Sequence, residues 1–282
     1  MPVSLQVKDL SPRFLRFYEL AQDLDPESRW KLWEETYGFA AVPPTDYGRS
    51  LARKMLDESW SGYPGVMEAI RAGAAGFRPD PQAMLEATAT VLNFTEDLEV
   101  QFVTYVGNLE MNAWAVTMGG KAHVHFPLES NVQEWGRFAL PHEFTHVIHD
   151  RLSGGTGGWL RSIATAMMQE GLAIWTSKAV TPDLPDWWYL CYQNQKWMEQ
   201  CLERDRTILT GILPRIAETS EDALRTFIMG PGPAGLDREV YWAGYRVVGE
   251  LLQRGDTLPG LVRLKEEEFT PRIGQVLLDL TA

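Results

Sequence analysis

Cysteine is scarce in this chain: Cys191 and Cys201 are the only two among 282 residues. They fall in a stretch that reads as one helix, and ten residues of helix would hold them about 15 Å apart, too far for a disulfide. Two free thiols suit a reducing compartment. Basic residues are also in deficit, with 26 Lys and Arg against 38 Asp and Glu and a formal charge of −12. Phosphate binding needs a basic surface, so nucleic acid is excluded as a partner. Lys/Arg runs that dock on anionic membranes are missing too. No apolar run approaches the roughly 18 residues that a membrane span needs. The charged start, MPVSLQVKDLSPRFLRF, lacks the apolar centre of a secretory signal. The expectation is a cytoplasmic protein with no membrane partner; nothing in the sequence speaks to its oligomeric state. Internal repeats and low-complexity linkers are absent.

What is present is ample core material, with 45% apolar residues and eleven tryptophans. A disordered chain would be poor in such residues. Residues 1–95 read as helical: Phe14, Phe17, Tyr18 and the run from Leu20 to Leu24 make one apolar set, and Trp30, Trp33 and Tyr37 recur at helical spacing. Two further helices are predicted at 49–60 and 81–92, with breaks at Pro43-Pro44 and Arg78-Pro79. From Leu98 the character changes. VQFVTYVG, AWAVTM and, after a Gly119-Gly120 turn, AHVHF predict three short strands in a small antiparallel sheet. Beyond Asn131 the chain turns helical again, broken by SGGTGG at 153–158, TPDLPD at 181–186 and GPGPAG at 230–235. Strands followed by helices, without alternation, predict an α+β fold. The expected organisation is a helical region at 1–95 packed on a functional part at 96–282.

The chemistry concentrates in Pro141-His142-Glu143-Phe144-Thr145-His146. On a helix, residues four apart share a face with Cβ atoms about 5–6 Å apart. Two imidazoles so placed can reach one zinc ion at about 2.0–2.1 Å, and Glu143, displaced around the helix, can act as a base without being a ligand. Leu140, Phe144, Val147, Ile148 and Arg151 form the opposite stripe, and Pro141 should start or kink the helix. A catalytic zinc usually takes a third protein ligand. MMQEGLAIW supplies Glu170, 24 residues after His146, on a face shared with Ile163, Met167 and Ile174. A carboxylate on an apolar face is costly unless paired or bound to metal. Placing Glu170 against His142 and His146 removes that cost.

With these residues the chain resembles the gluzincin metallopeptidases, the thermolysin-like group in which His-Glu-x-x-His is followed by a ligand glutamate. HEFTH matches the first motif, and QEGLA is similar to the Asn-Glu-Gly-Leu/Phe-Ala form of aminopeptidase-like members. EVYWAGYRVVGELL is similar to the Tyr-x-x-Gly-Tyr helix of a group of bacterial proteins regarded as zinc-dependent proteases. The resemblance covers about 98–252 and none of 1–95. It implies a zincin-like α+β fold, a small antiparallel or mixed sheet over the motif helix with a largely helical remainder. It also implies one Zn2+ per chain and a peptide or protein substrate. Asn112-Ala113-Trp114 resembles the start of the strand that binds substrate backbone in thermolysin-like enzymes; an ordinary core strand is the other reading. The chain departs from the family at Ile174, where an aspartate usually orients a zinc histidine. It departs again at Gly157 and Gly158, where a tyrosine is expected.

Tyr241, matching the first tyrosine of that helix, is the expected donor to the oxyanion of peptide hydrolysis, with Tyr245 and Arg246 as fallbacks. His149, Asp150 and Gln169 are expected to orient ligands or line the cleft, His149 being otherwise a surface histidine. His123 and His125 share a strand face, either solvated or touching substrate or a second metal. Glu266-Glu267-Glu268 reads as a solvated face, and Trp187-Trp188-Tyr189 as core or rim. A competing function is a metal-stabilised binding or regulatory protein that keeps the scaffold without turnover. The presence of Glu143 argues against it, since a silent site needs no base.

Overall fold

Residues 3–42, 45–110, 112–130, 132–155, 161–190 and 194–282 are described by a computed structural model. Its first element is a strand, where the sequence analysis predicts helix. Val3, Leu5 and Val7 alternate with Ser4, Gln6 and Lys8, and β1 (Val3–Asp9) pairs in parallel with β2 (Leu98–Tyr105), Val3 opposite Leu98 and Asp9 opposite Thr104. The partner edge lies some ninety residues away in sequence, so local periodicity over seven residues does not announce it. β3 (Trp114–Met118) and β4 (Lys121–Pro127) form a hairpin, turned through Gly119 and Gly120 at φ +57° and +76°. β4 also pairs in parallel with β2, so the order is β1-β2-β4-β3. The sheet is mixed, one of the two forms expected, and it has four strands where three successive ones are predicted. The longer connection at 106–113 lets β4 take the place beside β2 that a tight hairpin would have given β3.

Between β1 and β2 run α1 (Ser11–Leu20), α2 (Pro26–Thr36), α3 (Asp46–Ser59), α4 (Tyr63–Ala75) and α5 (Pro81–Val91). Capping chemistry sets the starts of α2 and α5: the Asp25 carboxylate accepts from Glu27 and Ser28 N–H, and Asp80 from Gln82 N–H, each just before a proline suited to the first turn. These helices form the crossover that a parallel β1–β2 pair requires. The N-terminal region therefore shares the sheet and the core of the rest. Tyr37 donates to Val106 O at 2.7 Å and Tyr63 to Gly107 O at 3.0 Å. The Gln82 carboxamide accepts from Leu5 N–H and donates to Val3 O, which covers part of the β1 edge.

The remainder is helical: α6 (Val132–Ser153), α7 (Ile163–Val180), α8 (Asp186–Tyr189), α9 (Gln195–Glu203), α10 (Asp205–Ile212), α11 (Glu221–Leu224), α12 (Glu239–Gln253), α13 (Leu258–Leu261) and α14 (Glu266–Thr281). The architecture is α+β, mostly helical, with a small mixed sheet. α6 packs against β3 and β4 and also against α5 and α7. α7 is buried around nearly its whole circumference, which explains why its sequence lacks a polar face. Gly171 and Gly244 allow α7 and α12 to meet backbone to backbone.

The single helix expected over this stretch is not formed: α8 ends at Tyr189 and α9 begins at Gln195, capped by the Asn194 side chain on Trp197 N–H. Cys201 is buried, and burial pushes its thiol up to about 12. Cys191, the Pro43-Pro44 break, Asn131 and the Gly157 and Gly158 positions lie outside the described residues. No helix among the described residues is long and apolar enough to cross a membrane.

Candidate metal centre

α6 runs through the His-Glu-x-x-His stretch without a break. Leu140, Phe144, Val147 and Ile148 are buried as the periodicity predicts, while Arg151 is exposed and pairs with Glu96 at 3.1 Å. One helical turn sets the His142 and His146 rings 4.8 Å apart. α7 brings Glu170 back to them: Glu170 Oε2 lies 3.2 Å from His142 Nε2 and 3.7 Å from His146 Nε2. The three ligand atoms all fall within 4.8 Å of one another. Donors around a tetrahedral zinc sit about 3.3–3.5 Å apart, a value that the two Glu170 separations bracket. The imidazole side chains are 15% and 19% exposed and the carboxylate 5%, so the histidines keep a small exposed area and Glu170 almost none.

The electrostatics suit a cation. Burial disfavours a charge on Glu170, yet His146, the hydrogen bond with His142 and nearby Arg161 together hold the carboxyl below the ordinary range. Burial drives the His146 pKa down, so its imidazole is neutral and keeps a lone pair for a metal. At His142 burial works the same way, but the hydrogen bond with Glu170 and the charge of Glu143 outweigh it and raise the pKa. Glu143 is buried, which pushes its carboxyl up to about 7 against the pull of His142. A His-His-Glu group near enough to hold one metal ion is what this geometry establishes.

No family model, curated protein or solved structure compared with the chain matches it. The resemblance to gluzincins accordingly rests on the motif residues and on the converging side chains.

The other predicted residues divide. Tyr241, on the first turn of α12, is half-buried with the Arg238 guanidinium 5.5 Å from its ring centre, and the charge of Arg238 is felt at His142. Tyr245 points elsewhere. Its hydroxyl donates to Asp186 Oδ2 at 2.8 Å and its ring stacks on Trp175. Arg246 pairs with Asp205 of α10 at 2.6 Å. Both fallback donors are engaged away from the metal group, because this stretch of α12 faces α8 and α10 rather than α6.

His149 is neither a surface residue nor a partner of the ligands. It is buried against Phe269 of α14, both ring nitrogens lack a partner among the described residues, and burial pulls its pKa down to about 4. Three residues beyond His146, it has rotated toward the core. Asp150, raised to about 6 by burial against the pull of Arg161, hydrogen-bonds neither imidazole among the described contacts. Gln169 is half-buried and makes no side-chain hydrogen bond there. The charged neighbour that sequence reasoning missed is Arg161, whose Nη2 lies 3.7 Å from Glu170 Oε1. It sits just before the Ser162 cap of α7, where an isolated arginine in a glycine-rich connection carries no signal.

Asn112 and Ala113 enter β3, an outer strand of the sheet, and Tyr105 donates to Asn112 O at 2.7 Å. His125 is not solvated: it lies between Trp114, stacked at 3.8 Å, and Phe39 at 5.7 Å, and burial lowers its pKa to about 4. His123 stays partly exposed. The glutamates at 266–268 open α14, where Glu266 accepts from the Thr165 hydroxyl at 2.9 Å and Glu268 accepts from Lys265 N–H at 2.8 Å.

A second buried carboxyl also escaped the sequence. Glu129 Oε2 accepts from Gly107 N–H at 3.0 Å, while its Oε1 and Glu110 Oε1 flank the space beside Gly107, 2.7 and 3.2 Å from where a Cβ would sit. Burial, with a smaller contribution from Glu110, raises Glu129 to about 7. A lone glutamate just after a strand looks like a loop residue until the fold encloses it.

Proposed function

We propose that this chain is a zinc-dependent peptidase in which His142, His146 and Glu170 hold one Zn2+ and Glu143 is the general base. The observation that carries the reading is the return of Glu170 to 3.2 and 3.7 Å from two histidines one helical turn apart. A two-histidine, one-carboxylate set is a donor set of catalytic zinc, which leaves a fourth position for water or substrate. When bound, the ion polarises the scissile carbonyl and lowers the pKa of a water toward about 7.

The chain's own residues supply the rest. Glu143, one residue beyond His142, takes the proton of the attacking water and delivers it to the leaving amine. Tyr241, beneath Arg238, donates to the developing oxyanion, and neutral His146 needs no deprotonation to bind metal. The free edge of β3, beginning at Asn112 and Ala113, accepts an extended peptide as an added strand. In this reading the sheet over α6 is the upper wall of a zincin-like cleft.

The test joins metal analysis of the purified protein to a chelator-sensitive digest of a peptide library. Stoichiometric zinc and cleavage that chelator abolishes are expected. Bound metal with no cleavage of any peptide would move the assignment to a silent metal-binding protein.

A further inference from the structure

Pro141 lies inside α6, one residue before the first metal-binding histidine. Proline has no N–H, so the carbonyl four residues earlier, Arg137 O, loses its helical donor, and the ring crowds the turn that contains it. α7 supplies replacements. Thr181 Oγ1 lies 3.0 Å from Arg137 O, and Ser177 Oγ lies 2.9 Å from Phe138 O. Each hydroxyl also reaches its own helix, Thr181 to Ser177 O at 3.0 Å and Ser177 to Ala173 O at 2.8 Å, so one proton serves both helices. Ser177 is buried, so its hydroxyl must be satisfied by neighbouring groups.

These hydroxyls lie on the same stripe of α7 as Glu170. Seven and eleven residues are close to two and three whole turns of helix, so positions 170, 177 and 181 nearly eclipse one another. α6 and α7 run antiparallel there: Glu170 faces His142 and His146, Ser177 faces Phe138, and Thr181 faces Arg137. We infer that Ser177 and Thr181 are positioning residues, which set the register of α7 on α6, Thr181 by donating to the Arg137 carbonyl opened at Pro141 and Ser177 by donating to the adjacent Phe138 carbonyl, and thereby hold Glu170 opposite the two histidines. The proline break is then a docking feature of the metal centre. The inference rests on the metal-binding reading for its consequence, but the clamp itself can be measured without metal.

The experiment uses the full chain with Ser177→Ala, Thr181→Val, both together, and the hydroxyl-keeping Ser177→Thr and Thr181→Ser. Co2+ serves as the probe, read by affinity and by its visible spectrum. The double variant should bind Co2+ about 10–100-fold more weakly, as loss of groups that orient ligands commonly does, and with an altered spectrum. The hydroxyl-keeping variants should recover both. In chelator, a denaturation cycle pairs Thr181→Val with Pro141→Ala, which returns an N–H to Arg137 O; Thr181→Val should then cost less stability. Wild-type Co2+ affinity and spectrum in a folded double variant, or strictly additive losses in the cycle, would overturn the inference. If the wild-type chain takes up no metal, the peptidase reading falls, and the chelator cycle alone decides the clamp.

Discussion

Gly171 and Gly244 approach so closely that a Cβ on Gly171 would lie 2.3 Å from the Gly244 carbonyl oxygen, and one on Gly244 only 2.4 Å from Met167 O. The contact is next to Glu170, so the spacing of α7 and α12 is felt at the metal group. Neither obstacle is a flexible side chain that can swing away. Gly171→Ala or Gly244→Ala should therefore cost about 1–3 kcal/mol of stability, as overpacking does, together with weaker metal binding. Chemical denaturation and metal titration of the same samples check this; a variant as stable as wild type would show that the helices separate freely.

Glu143→Gln keeps the size of the side chain and removes its basicity. Metal content should stay at the wild-type level while turnover falls by about 10²–10⁴-fold, the usual contribution of a positioned base. Undiminished cleavage by this variant would remove Glu143 from the mechanism.

Metal should stabilise the fold, because the three ligands converge only in the native chain. At a free zinc concentration a hundred times Kd, the expected gain is about 2.7 kcal/mol. Thermal melts with and without chelator measure it. His146→Ala should abolish the gain, since two ligands remain where three are needed.

Tyr241 and Tyr245 are separable by substitution to phenylalanine. Tyr241→Phe should lower kcat by about 10²–10³-fold, as loss of an oxyanion donor does, with little change in melting. Tyr245→Phe loses its bond to Asp186 and should cost about 0.5–1.5 kcal/mol of stability with kcat unchanged. Reversal of these two patterns would exchange their roles.

Glu129 predicts a pH dependence of stability unrelated to the metal. The folded chain keeps the Glu129 proton until about pH 7, whereas an unperturbed glutamate releases it near 4.5. The native state thus binds more protons between these values, and this group's contribution to stability declines as pH rises through that window. Glu129→Gln, which can still accept from Gly107 N–H, should raise the melting temperature at pH 8 relative to wild type and change it little at pH 4. Equal shifts at both pH values would rule out ionisation of Glu129 as the cause.

Much of the candidate site was legible because it is local. Four-residue spacing on a helix fixes where His142 and His146 lie relative to one another, whatever surrounds them. The buried stripe of Leu140, Phe144, Val147 and Ile148 follows from the same geometry. Glu170 was found by a cost argument, since a carboxylate among apolar residues needs a partner. That cost points to the two histidines as partners but not to the path of the chain that brings Glu170 to them.

The rest was decided by contacts between distant segments. β1 is a strand because β2 offers it an edge, and β4 lies beside β2 because the connection at 106–113 is long enough to permit it. Tyr245, Arg246 and His149 were drawn into the site by spacing alone, but Asp186, Asp205 and Phe269 hold them elsewhere. Arg161 and Glu129 became notable only once the chain enclosed them. What the amino-acid sequence by itself determined was the helix that pairs the imidazoles; the carboxylate that completes them, and the side chains turned away, were chosen by packing, because burial and long-range hydrogen bonds exist only after the chain has closed.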